Sequence, residues 1–64
     1  MSNGLSASEL DDRIAILRDN IRQLVEQAAA ASGAQSEERI ADRIAQQEAE
    51  LDKLTAQREA MTKR

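Results

Sequence analysis

The sequence predicts an all-α fold, an antiparallel two-helix coiled-coil hairpin (helix–turn–helix) that pairs into a homodimeric four-helix bundle. Three observations predict it. The 64-residue chain has no proline and is rich in Ala, Glu, Gln, Arg and Leu, all strong helix formers. Its apolar residues recur at alternating spacings of three and four, the heptad of a helix-packing seam. Beyond the first few residues one strong helix breaker occurs, Gly33, within Ser32-Gly33-Ala34-Gln35-Ser36.

Residues 1–5 are expected to be a disordered tail, and residues 6–64 a single helical hairpin. The first helix is expected over residues 7–32. Ser6 is its candidate N-cap, and Glu9, three residues later, completes a capping box. Leu5 and Leu10 occupy the two positions of a hydrophobic staple around that cap. Glu9, Asp11 and Asp12 place negative charge at the positive end of the helix dipole. Gly33 is the expected left-handed residue that ends this helix. A loop over 33–36 leads to a second helix over 37–62, with Ser36 as cap, Glu37 and Glu38 in the first turn, and Lys63 and Arg64 at the C-terminal end.

The first seam is Leu10, Ile14, Leu17, Ile21, Leu24, Ala28 and Ala31, with Ile at a and Leu at d. The second is Ile40, Ile44, Gln47, Leu51, Leu54, Arg58 and Met61, in which Gln47 and Arg58 are polar intrusions. One continuous helix does not fit. The two registers slip by two residues, which neither a four-residue stutter nor a three-residue stammer repairs. Folding the chain about Ala34 makes facing residue numbers sum to 68. Leu10 then faces Arg58, Ile14 faces Leu54, Leu17 faces Leu51, Ile21 faces Gln47, Leu24 faces Ile44, and Ala28 faces Ile40. Every layer joins an a position to a d position, as antiparallel packing requires. On the flanks Arg18 faces Glu48 and Val25 faces Ala41, while Arg13, Asn20 and Gln27 face Gln57, Glu50 and Arg43.

Some apolar residues fall off the seam. Val25, Ala29, Ala41 and Ala45 gather on one flank near the loop, and Ile16 stands alone at a c position. These five are the candidate face for a second copy or a partner helix; the alternative is that alanines on a solvated face serve helix formation and that Ile16 is an ordinary exposed side chain. Gln47 has two readings. Its amide either meets its own copy in a four-helix dimer or bends out to water while its stem packs. The stem of Arg58 is expected to lie over Leu10.

Composition excludes much chemistry. No His and no Cys occur, which removes the usual metal ligands and nucleophile–base pairs. Glu38 and Asp42, one turn apart, lack a third fixed ligand for a divalent cation. No catalytic residue, cofactor site or metal site is expected. The chain has no aromatic residue and a net charge of −3, with 12 acidic and 9 basic residues. That balance argues against nucleic acid as partner, which calls for a basic face and stacking platforms. No apolar run approaches the roughly 18 residues of a membrane span, and no basic-then-apolar leader opens the sequence. A small soluble protein of bacterial type, located in the cytoplasm, is the expectation.

In length, hairpin layout and heptad content over residues 6–62, the sequence resembles the small plasmid-encoded Rop-type proteins. That resemblance implies a helical hairpin dimerising into an antiparallel four-helix bundle. No functional residue of those proteins is matched here, and the aromatic of a Rop-type RNA-binding face is absent. The expected function is a non-catalytic protein–protein interaction or regulatory module acting through helix packing and self-association. The alternatives are a Rop-like RNA-binding regulator and a structural spacer or assembly hairpin of a larger complex.

Overall fold

The computed structural model describes residues 5–31 and 33–62. It contains two helices, α1 (Ala7–Ala30) and α2 (Ala34–Thr62), packed against each other. The molecule measures 47 × 20 × 14 Å. An α-helix of 24 residues is about 36 Å long and one of 29 about 44 Å, so the long dimension is one helix length and the hairpin is one layer deep.

The start of α1 is a reciprocal cap. The Ser6 backbone N–H donates to Glu9 Oε1 at 2.8 Å, and the Glu9 backbone N–H donates to Ser6 Oγ at 3.2 Å. Two otherwise orphaned amide donors are satisfied at once. Leu5, immediately before the cap, packs against the cluster that contains Leu10, which fixes the angle at which the chain enters the helix. The two Ser6 hydrogen bonds, the backbone one first, hold the Glu9 carboxyl below its ordinary pKa.

The connection differs from the expected loop over 33–36. Helix α1 stops at Ala30, and Ala31 turns extended with φ −72° and ψ 143°, its N–H donating to the Ala28 carbonyl at 3.3 Å. Gly33 has φ +125°, so the positive φ lies between the extended Ala31 and α2 rather than closing the last turn of α1. Helix α2 begins at Ala34, and the Glu37 N–H donates to the Gly33 carbonyl at 3.2 Å. Ser36 is therefore inside the first turn. Nothing in Ala34-Gln35-Ser36 resists helix, since proline is absent and Ser disfavours a first turn only weakly. A Cβ on Gly33 meets nothing within 4 Å, so what glycine contributes there is backbone freedom and not space.

The apolar stripes meet between the helices, and the packing is graded along them. Leu10, Ile14 and Leu54 are buried, with Leu5, Leu17 and Leu51 packed around them. This cluster sits at the end of the hairpin away from the loop. Ile21, Leu24, Ala28, Ile40 and Ile44 are only half-buried. In the hairpin register Ile14 is level with Leu54, both buried, whereas towards the loop Ile40 is level with Ala28, which is too short to cover it. Met61 is 44% exposed, unlike the rest of the expected seam. Its level in the hairpin register is the small Ala7, which does not cover it.

Two outcomes test this description. Leu54→Ala should lower the unfolding free energy by about 3 kcal/mol, since it opens a cavity in the buried cluster, and Ile40→Ala by about 1 kcal/mol; urea melts read both, and equal losses would contradict the gradient. Ser6→Ala should lower stability by about 1 kcal/mol at neutral pH. Because folding lowers the Glu9 pKa, its contribution is present above the unfolded carboxyl value and fades as pH falls through the folded one. The difference between parent and Ser6→Ala should therefore shrink on acidification below about pH 4.

Candidate functional site: the flank and the polar seam residues

The seam residues do two different things with their polar members. Arg58 replaces an apolar residue in the layer of Leu10. Its Nε donates to Asp11 Oδ1 across the helix pair at 2.8 Å, and its Nη1 donates to Thr62 Oγ1 at 3.0 Å. The Thr62 hydroxyl in turn donates to the Arg58 carbonyl at 3.3 Å. The long stem reaches the edge of the seam, so the charge is hydrated and paired while the methylenes cover apolar surface. The ion pair is partly exposed, so it contributes about 1 kcal/mol or less. Its main effect is to tie the start of α1 to the end of α2. Asp11 as the partner was missed by sequence reasoning, although its place beside Leu10 in the Leu10–Arg58 layer was the available signal.

Gln47 has no such reach. It is half-buried in the middle of the seam, and its Oε1 is buried with no hydrogen-bond partner. The expectation that the amide bends out to water does not hold for this oxygen. The residue level with it in the hairpin register, Ile21, offers no side-chain donor. A buried acceptor left unpaired costs about 1–3 kcal/mol.

Gln47 lies beside one of two recesses on the same flank. The first, about 380 Å³, runs between Asn20, Gln23 and Gln27 of α1 and Arg43 and Gln46 of α2, over Leu24 and Gln47. Its walls are carboxamides, with one guanidinium. The second, about 340 Å³, has Leu17 and Leu54 with Ile16 between the opposite charges of Arg13 and Glu50. Both lie along the g and c positions, over the d residues Leu24 and Gln47 in the first and Leu17 and Leu54 in the second. Both are shallow surface grooves and do not enclose a small molecule as a catalytic pocket does.

The remaining candidates stand in the open. Ile16 is 58% exposed and Val25 50% exposed, and Ala29, Ala41 and Ala45 are exposed around Val25. Ile16 is thus on the grooved flank, and the Val25 group on the opposite one. Arg18 and Glu48, expected to face each other on the Val25 flank, form no ion pair among the described contacts; the two found there are Arg58–Asp11 and Arg22–Asp19. Arg22 hydrogen-bonds Asp19 within α1, and Gln23 Nε2 donates to the other oxygen of Asp19 at 2.8 Å. The Arg22 bond, aided by its charge and by Gln23, holds the Asp19 carboxyl below its ordinary pKa and raises that of Arg22. This pair lies within α1 and does not cross to α2.

Among the described residues no three acidic side chains gather as a metal site, and no helix is long and apolar enough to cross a membrane. No protein-family model matches the sequence, and no curated protein or solved structure matches it.

Gln47→Leu should raise stability by about 1–2 kcal/mol in dilute solution, because it removes the unpaired oxygen and adds apolar contact. A thermal melt at low protein concentration measures this, and a fall in melting temperature would show that the amide makes a structural bond.

Proposed function

We propose that this chain is a non-catalytic protein–protein interaction module that self-associates, two hairpins packing into a homodimeric four-helix bundle. The observation that carries the reading is surface area. The chain exposes 5096 Å², whereas a folded monomer of its mass ordinarily exposes about 4,100 Å². A hairpin one layer deep is longer and thinner than the compact monomers behind that figure, so broad helix faces are left open for a second layer to cover.

The core supports the same reading. Three side chains are buried among the described residues, while Ile16, Val25 and Met61 are largely open. Each buried aliphatic side chain contributes about 1.5–3 kcal/mol, against a conformational-entropy cost of about 1.5 kcal/mol per ordered residue. A chain without disulfides commonly makes up such a shortfall by oligomerising. A four-helix arrangement is the ordinary way for two-helix layers to cover one another.

Sedimentation equilibrium across a wide concentration range, with helicity recorded on the same samples, tests the proposal. A helical dimer that dissociates only on dilution is the expected result. A helical monomer at every concentration would overturn self-association. A weakly helical monomer that gains helix only with another protein would replace it with an assembly hairpin whose seam is itself the binding surface.

A further inference from the structure

Resting on the dimer reading above, we infer that a second copy of this chain docks on the grooved flank. Its two-fold axis crosses the helices between Glu50 and Lys53, beside Ile16. The partner's α1 then lies antiparallel over α1, and its α2 antiparallel over α2.

The first argument is the unpaired oxygen of Gln47 next to the carboxamide-walled groove. Buried polar atoms in folded proteins almost always have a partner, from protein or ordered water, and Gln47 lines the groove through which a donor outside the hairpin reaches it. The second is the neighbouring groove, where Ile16 stands beside Leu17 and Leu54 between Arg13 and Glu50. An apolar floor between opposite charges fits a partner surface with an apolar side chain at its centre and charges around it. The opposite flank offers Val25 among alanines, without an unpaired polar atom among the described residues.

The third argument is self-complementarity, which an isologous interface demands. The g and c positions of α2 on this flank include Gln46, Glu50, Lys53 and Gln57, and those of α1 include Arg13, Ile16 and Asn20. With the axis midway between Glu50 and Lys53, Glu50 meets the partner's Lys53 and Lys53 meets the partner's Glu50. The hairpin register puts that same level between Ile16 and Leu17 of α1, so Ile16 lies half a residue from the axis, next to the partner's copy of the same side chain. Arg13 then meets the partner's Asn20, and Gln46 meets the partner's Gln57. No like charges oppose one another among these pairs. Gln47, adjacent to Gln46, comes level with the partner's Gln57, whose carboxamide N–H donates to the free oxygen. The helices overlap for roughly 30 Å at 1.5 Å per residue, on a hairpin 20 Å across, a patch of the size a standard interface occupies.

The chain contains no cysteine, so single cysteines report the axis directly. Ile16→Cys and Val25→Cys are compared by the rate of covalent dimer formation with a short bis-maleimide. At least tenfold faster linkage through position 16 is expected, since it sits beside the axis; faster linkage through position 25 would move the dimer to the other flank and overturn this inference while self-association stands. The register is read by charge exchange at two exposed sites. Glu50→Lys and Lys53→Glu should each weaken association about tenfold, because each places like charges together twice in the dimer. The combined Glu50→Lys/Lys53→Glu chain should recover to within about twofold of the parent. Failure to recover, in chains whose helicity is unchanged, would overturn the proposed axis. A parent chain that sediments as a monomer throughout would instead overturn the dimer reading beneath it.

Discussion

A hairpin of two helices has one interface, and everything else in this protein depends on how that interface is filled. Each helix buries one stripe and leaves the remaining faces to water. The cluster of Leu10, Ile14 and Leu54, with Leu5, Leu17 and Leu51 around it, is where the filling succeeds. It lies at the end of the hairpin away from the connection, so it joins parts of the chain far apart in sequence. The Arg58–Asp11 pair closes the same end. The Ser6–Glu9 cap starts α1 beside it, placing Leu5 against the cluster.

The two polar intrusions in the seam show how side-chain length decides whether a polar residue is tolerated. Arg58 carries its charge clear of the apolar layer and finds two partners at the rim. Gln47 occupies an equivalent kind of position with a shorter side chain, and its oxygen stays trapped. Pairing Arg58 within the chain adds to the fold of one hairpin. The Gln47 oxygen has no partner within the hairpin, and an acceptor left in that state costs stability.

The grooved flank and the Val25 flank differ for a geometric reason. On the g and c side two recesses lie over the d residues. One is walled by carboxamides and the other is apolar between opposite charges, so the surface is both shaped and patterned. The Val25 flank carries exposed Val25 among the small side chains of Ala29, Ala41 and Ala45. Close approach of another helix is possible there, but little in its surface selects a particular one.

Much of this fold was legible in the chain. Helical composition, the 3-4 spacing of Leu10 to Ala28, the Ser6–Glu9 cap and the break at Gly33 are local properties, and local propensity and periodicity specify them without knowledge of any contact. The a-to-d matching of the two stripes also follows from residue order, because a short connection leaves the second helix one direction and one register in which to pair. Three features lay beyond that. Where α1 ends and α2 begins depends on a backbone path through Ala31 and Gly33 that several loop conformations could satisfy equally in sequence terms. That Arg58 finds Asp11, and that Met61 stays open, depends on which side chains lie within reach across the interface. That the Gln47 oxygen is enclosed without a partner, and that two recesses lie along the g and c positions, depends on how closely the backbones approach above each layer. Spacing along a chain determines which face a residue occupies; the distance between two packed backbones, set by the sizes of all the facing side chains together, determines what that residue touches.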